Sequence, residues 1–245
     1  MTDPTFVLIP GAGGASWYWH PVTDELRRRG REVVAVDLPA DDDSAALPEY
    51  TALVTEAARG RTGVVLVGQS LGAFTAVMAC GRLDAALLVL VNPMIPLPGE
   101  TPGAWWENTG QAGAMRANDR REGRPADAEF DVFTYFLHDV PRRLVEEAAS
   151  EERPESDAVF ASPLDLAAWP DVPTRVLVGR DDRLFPVGFQ RRVARERLGL
   201  VPDEIPGGHL VALSQPLLVA DRLEAYWAEV APAQGGTGRR GRPDS

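Results

Sequence analysis

Val64-Val65-Leu66-Val67-Gly68-Gln69-Ser70-Leu71-Gly72-Ala73-Phe74-Thr75-Ala76-Val77-Met78-Ala79-Cys80 is the stretch on which the fold turns. An apolar run with strand character stops at Gly68, and a helix-like stretch begins at Ala73, so a strand feeds directly into a helix through G-x-S-x-G. That setting marks a nucleophile elbow, a turn so tight that Ser70 is expected in a strained backbone conformation. Gly68 and Gly72 are needed because a side chain there would strike the neighbouring strand and helix. The geometry lifts the Ser70 hydroxyl clear of the sheet, where it can attack a carbonyl.

A serine hydroxyl is a poor nucleophile near neutral pH, so the elbow implies a histidine to take the proton and a carboxylate to orient that histidine. There are three histidines. His20 follows the first strand in an aromatic stretch, and His138 lies in a helical region that suits either an amphipathic helix end or an inward hydrogen-bonding contact. His209 occupies the short loop Pro206-Gly207-Gly208-His209 before the final helix, where an imidazole can reach over the sheet. The acid is expected just after a strand, between Ser70 and His209 in the chain. Thr174-Arg175-Val176-Leu177-Val178 is such a strand and runs into Gly179-Arg180-Asp181-Asp182, where either aspartate can serve and the other can cap turn amides. The amide of Leu71, directly after the nucleophile, is one oxyanion donor; a second should come from the loop Pro10-Gly11-Ala12-Gly13-Gly14. That loop has neither the lysine of a P-loop nor the spacing of a dinucleotide fingerprint.

These residues resemble the alpha/beta-hydrolase superfamily over nearly the whole of residues 5–230. The spacing Gly179-x-x-Asp182-x-x-x-Pro186 is similar to the family's acid loop, so the resemblance selects Asp182. Pro10 to Trp17 and His209 to Pro216 look like the branch of small methyl esterases and hydroxynitrile lyases, and in that alignment the second oxyanion amide falls on Ala12. The chain departs from the pattern at Pro10, where relatives carry a loop-organising histidine, a difference that bears on loop geometry more than on the chemistry.

Strand-like segments near 5–9, 33–37, 63–68, 86–91, 174–178 and 201–205 alternate with helical ones near 17–29, 48–59, 71–82, 187–198 and 215–229. This is the α/β pattern of a mostly parallel, doubly wound sheet. Between residues 94 and 163 the alternation breaks; by the resemblance this is a helical cap inserted after the sixth strand of the family's fold, the fourth found here. The expected organisation is a core of 1–93 and 164–231, a cap of 94–163, and a disordered tail of 232–245 rich in glycine and arginine.

At 245 residues, 44% of them hydrophobic, the chain can bury one substantial core. The net charge of −11 argues against nucleic acid or anionic lipid as partners, and no apolar run approaches a membrane span. With no basic, apolar leader before the first strand, a cytoplasmic protein is expected. Its lone Cys80 excludes an internal disulfide, and the cluster Asp41-Asp42-Asp43 has no histidine beside it, so no metal is expected. All 25 basic residues are arginine. Schiff-base chemistry is thereby excluded, as is the lysine that hydroxynitrile lyases of the similar branch use. Serine at position 70 likewise excludes the aspartate nucleophile of epoxide hydrolases and haloalkane dehalogenases. The aromatic residues Trp105 and Trp106 of the cap, Trp17 of the entrance loop and His138 are the candidate substrate contacts. Together they favour a small, neutral, hydrophobic substrate. The function expected is hydrolysis of a carboxylic ester, thioester or lactone without cofactor; alternatives are C–C bond hydrolysis, perhydrolysis or cyclisation at the same site, or a non-catalytic small-molecule receptor. The sequence leaves oligomeric state open.

Overall fold

The computed structural model describes residues 3–125, 129–148, 151 and 153–231, so the expected disordered tail lies outside the described residues. Among these, six strands form one sheet: β1 (Thr5–Ile9), β2 (Glu32–Ala35), β3 (Val64–Gln69), β4 (Ala85–Val91), β5 (Thr174–Gly179) and β6 (Asp203–Ile205). Their order is β2-β1-β3-β4-β5-β6, and every neighbouring pair is parallel. The helices are α1 (His20–Arg28), α2 (Leu47–Ala57), α3 (Gly72–Cys80), α4 (Pro102–Thr109), α5 (Gln111–Arg121), α6 (Arg142–Ala148), α7 (Asp157–Ala161), α8 (Val187–Leu198), α9 (Val211–Ser214) and α10 (Pro216–Val230).

Successive strand residues point to opposite faces, and each face is covered. Leu66, Leu88, Leu90 and Val178 pack against α2, α3 and α8 through Tyr50, Val54, Phe74, Val77, Phe189 and Val193. Val65, Val67, Val89 and Leu177 pack on the other side against α1 and α10 through Val22, Leu26, Val219 and Leu223. Burial on both sides is why these strands read as unbroken apolar runs rather than as alternating ones.

The helix expected over 17–29 is divided, and a short helix that the sequence does not suggest, α9, precedes the one expected over 215–229. The segment expected over 17–29 is a 3-10 turn, Ser16–Trp19, followed by α1, whose first turn holds Pro21. Pro216 likewise starts α10, and Gln215, at φ −134° and ψ 48°, separates it from α9. A proline is tolerated in a first helical turn because its missing amide would be unpaired there anyway.

From β1 the chain steps outward to β2, then crosses to the opposite side of β1 to form β3. The carboxyl ends of β1 and β3 therefore flank a switch point, where adjoining loops part and leave a crevice. Ile9 and Gly68 are paired there, which brings the loop 10–14 beside the elbow. Between β4 and β5 the chain makes a helical excursion containing α4 to α7 and a π-helical turn, Phe133–Leu137, with no strand among its described residues. Trp105, Tyr135, Val159 and Leu164 of this insert belong to the same buried cluster as α2, α3 and α8, so its interior is continuous with that of the sheet. Glu100 and Arg197 tie the start of the insert to α8 through a nearly buried ion pair, with Nη2 to Oε1 at 2.9 Å.

Candidate active site

Ser70 adopts φ 49°, one of two positive values among the described non-glycine residues. The strain is imposed from both sides of the turn. A Cβ at Gly68 would lie 2.7 Å from the Gly72 carbonyl oxygen and 2.8 Å from the Ala76 Cβ, and one at Gly72 would strike the Pro10 carbonyl oxygen. The Ser70 amide donates to Val91 O (3.1 Å), while its carbonyl accepts from Ala73 (3.1 Å) and Met94 (3.0 Å), so the turn is held at both ends.

His209 comes to this serine from the loop after β6. Its Nε2 lies 3.0 Å from Ser70 Oγ, and its Nδ1 lies 2.8 Å from Asp182 Oδ2. An ionised carboxylate only accepts, which places a proton on Nδ1 and leaves Nε2 free to accept from the hydroxyl. All three side chains are buried, with Asp182 2% and His209 1% exposed, so little water competes for these bonds. Asp182 Oδ1 also accepts from the Phe185 amide (2.8 Å), and Gln190 Nε2 reaches Oδ2 at 3.3 Å. Rings of Phe185 and Phe136 meet the imidazole edge to face, at centroid distances of 4.8 and 5.1 Å. Asp181 points elsewhere: its Oδ2 accepts from the Gly207 amide (2.9 Å) and its own amide donates to Gly207 O (3.0 Å), the turn-capping alternative.

Sequence reasoning missed Asn92, the other positive-φ residue (42°), at the end of β4. Its Nδ2 donates to the carbonyls of Gly208 and His209, both at 2.9 Å, and its Oδ1 accepts from the Gly179 amide at 2.7 Å. One fully buried side chain thus joins the end of β4 to the loops that carry the acid and the histidine. The available signal was the Asn92-Pro93 pair at a strand end, a turn-forming dipeptide.

Ala12 and Leu71 line the same cavity as Ser70 and His209, and neither backbone amide donates to another described residue. Leu71 stands at the N-terminus of α3, where unpaired amides converge. The cavity measures about 520 Å³ and is mostly apolar, walled by Trp106, Phe136, Leu137, Phe160, Leu184 and Leu210. Its polar wall includes Arg153 and Glu155. The Glu155 carboxylate accepts from the Gly13 amide (2.7 Å) and from Tyr50 OH (2.8 Å), and burial pushes its pKa up despite these bonds.

Of the four side chains expected to touch substrate, Trp106 alone lines this cavity. Trp105 is fully buried against Phe185 and Phe189, with its indole N–H donated to Ile95 O at 2.9 Å. It faces inward because Pro102, Trp105 and Thr109 form the buried stripe of α4. Trp17 lies beside His20, at a ring distance of 4.7 Å, and borders a neighbouring cleft along the 10–13 loop. His138 is turned away as well, toward a separate polar cavity of about 330 Å³ shared with Arg183 and Asp181. Burial and then Arg183 hold its pKa below the usual histidine value.

A family model described as the alpha/beta hydrolase family matches residues 6–222. Norfluorocurarine synthase 1 from a Strychnos species is 26% identical over 250 residues, which cover 86% of this chain and 90% of that protein. Methyl jasmonate esterase 1 of Vitis vinifera is 31% identical over 105 residues, 38% of this chain and 40% of its own length. Among solved structures, polyneuridine aldehyde esterase matches with a TM-score of 0.73 at 22% identity, over 91% of this chain and 99% of that one, a likeness of fold.

Proposed function

The chain belongs to the alpha/beta hydrolase family, and on that premise we propose that it is a serine hydrolase cleaving a carboxylic ester, thioester or lactone of a small hydrophobic substrate. The observation that carries this reading is the continuous relay Ser70 Oγ, His209 Nε2, His209 Nδ1, Asp182 Oδ2, with links of 3.0 and 2.8 Å, opening into a largely apolar cavity. His209 takes the hydroxyl proton as Ser70 Oγ attacks the carbonyl, and Asp182 stabilises the imidazolium that forms. Charge developing on the carbonyl oxygen is met by the Ala12 and Leu71 amides, each donor of this kind contributing about 3 to 4 kcal/mol in the transition state. His209 then protonates the leaving alcohol or thiol, leaving an acyl group on Ser70. Water, deprotonated by the same imidazole, attacks the acyl carbonyl, and His209 returns that proton to Ser70 Oγ as the acid leaves. The insert serves as a cap whose Trp106, Phe136 and Phe160 receive the hydrophobic part of the substrate.

A second reading, conversion of a biosynthetic intermediate at the same residues, is favoured by one observation: norfluorocurarine synthase 1, a relative matching most of both chains, is named a synthase. Mass spectrometry of the protein exposed to a panel of acyl substrates distinguishes the two, since hydrolysis passes through an acyl adduct on Ser70 and yields an acid together with an alcohol or thiol. A fluorophosphonate should label wild type and not Ser70→Ala. Labelling that persists in Ser70→Ala overturns the assignment.

A further inference from the structure

Two carboxylates of the insert hold the two loops that the proposed chemistry depends on. Glu155, two residues before α7, accepts from the amide of Gly13, which directly follows the oxyanion residue Ala12 (2.7 Å). Asp139, just after the π-helical turn, accepts from the amide of Gly208, which directly precedes His209 (2.6 Å). Both are carboxylate-to-backbone bonds at short range, the stronger class of hydrogen bond. Both loops also need such an anchor, because each is built on glycine at positive φ, Gly13 at 85° and Gly207 at 120°. Glycine in that region has few steric constraints of its own, so contacts must define the loop.

The same short stretches carry the cavity wall. Phe136 and Leu137 stand three and two residues before Asp139, and Phe160 lies on the helix that Glu155 leads into. Pressure of a substrate on the wall is therefore pressure on the anchors.

We propose that Glu155 and Asp139 are positioning residues through which the insert orients the Ala12 amide and the His209 imidazole, so that contact with a hydrophobic substrate tail is expressed in turnover rather than only in binding. The proposal rests on the serine-hydrolase reading for its kinetic part and on geometry alone for its structural part. Binding energy from a remote group raises kcat when it completes the catalytic arrangement.

The test compares Glu155→Ala and Asp139→Ala with Glu155→Gln and Asp139→Asn, which retain an acceptor oxygen. Steady-state kinetics use p-nitrophenyl acetate and p-nitrophenyl octanoate, and hydrogen exchange is followed by mass spectrometry over 10–16 and 206–211. For the alanine variants kcat on octanoate should fall roughly 10- to 100-fold, below the loss seen when an oxyanion donor is deleted outright. KM should stay within a few-fold, and the advantage of octanoate over acetate in kcat should shrink. The amide variants should recover most of it. Exchange should quicken over 10–16 in Glu155→Ala and over 206–211 in Asp139→Ala, each without the other. Glu155→Asp, too short to reach Gly13, answers the same question if the alanine variant does not fold. Unchanged kcat with unchanged loop exchange overturns the proposal, as does exchange that quickens uniformly along the chain. If the wild type turns over neither ester, the exchange data alone decide the anchoring, and selective loosening then sustains it while the ester reading falls.

Discussion

Replacing Asp182 by asparagine asks the site to work with one acceptor where it now has two. Oδ1 serves the Phe185 amide at 2.8 Å, and Oδ2 serves His209 Nδ1 at 2.8 Å. An asparagine oxygen can satisfy one of them. The Phe185 N–H is fixed in the backbone, whereas the imidazole can move its proton to the other nitrogen, so the amide oxygen turns to Phe185 and its NH2 to His209. That places the imidazole proton on Nε2, facing Ser70, and removes the base. Restoring the working tautomer means turning the amide and setting two donors against each other at Phe185, at about 1 to 3 kcal/mol. Losing the carboxylate also removes its attraction for the imidazolium, about 4 kcal/mol for unit charges near 4 Å at an effective dielectric of 20. The sum, about 5 to 7 kcal/mol, corresponds to a loss of roughly 10⁴- to 10⁵-fold in turnover. Asp181→Asn keeps an acceptor for the Gly207 amide and should cost less than about tenfold. Single-turnover kinetics with a chromogenic ester, beside thermal melts showing that both variants fold, is the measurement. Losses of equal size, or a larger loss at Asp181, would refute this account of the acid.

Trp106→Ala removes apolar surface from the cavity wall, so KM for long acyl esters should rise by the equivalent of about 1 to 3 kcal/mol while an acetyl ester is nearly unchanged; indifference to chain length would remove Trp106 from that wall. Trp105→Ala, by contrast, empties a core position and should lower unfolding free energy by about 3 to 5 kcal/mol in urea titration. Glu155 is raised in pKa chiefly by burial, so its neutral form favours the fold: that contribution is complete below the unfolded value of about 4.3 and is lost as pH rises through the higher folded value. Melting temperatures of Glu155→Gln and wild type should therefore diverge in favour of the glutamine as pH rises from acid to neutral, and a gap that does not change with pH counts against the shift. Asn92→Ala strands the Gly179 amide and frees two carbonyls, and should cost about 2 to 4 kcal/mol in denaturant titration. A neutral result there would mean that the loops hold themselves.

What sequence could supply was local. The elbow, the positions of the strands along the chain and the loops bearing Asp182 and His209 are each written in a few consecutive residues, because glycine, strand and helix signals act at short range. The distinction between Trp105 and Trp106 was not read: both were expected to touch substrate, and only the packed helix shows Pro102, Trp105 and Thr109 as its buried stripe with Trp106 beside it. Glu155 carries no such mark. Its partner Gly13 is 142 residues away, and nothing near either residue encodes the other. Asn92 is similar in this: its work is defined by backbone groups that only the closed sheet brings within reach.

β4 and β5 are hydrogen-bonded neighbours, so the chain that departs after Val91 returns at Thr174 only one strand away. Closing a connection grows costlier only with the logarithm of its length, about 0.6 kcal/mol for each doubling. Because the two strands are parallel, even a short crossover needs roughly twenty residues, and lengthening it to roughly eighty adds about 1.2 kcal/mol, a sum that a few buried side chains offset. The sheet is thus a chassis that tolerates exchange of the whole excursion with its register untouched. A graft taken from another protein would bring its own selectivity on two conditions: it must fill the places of Trp105, Tyr135, Val159 and Leu164 in the shared core, and it must present an acceptor to the Gly13 amide and another to the Gly208 amide, or the transplanted roof will sit over a slack engine.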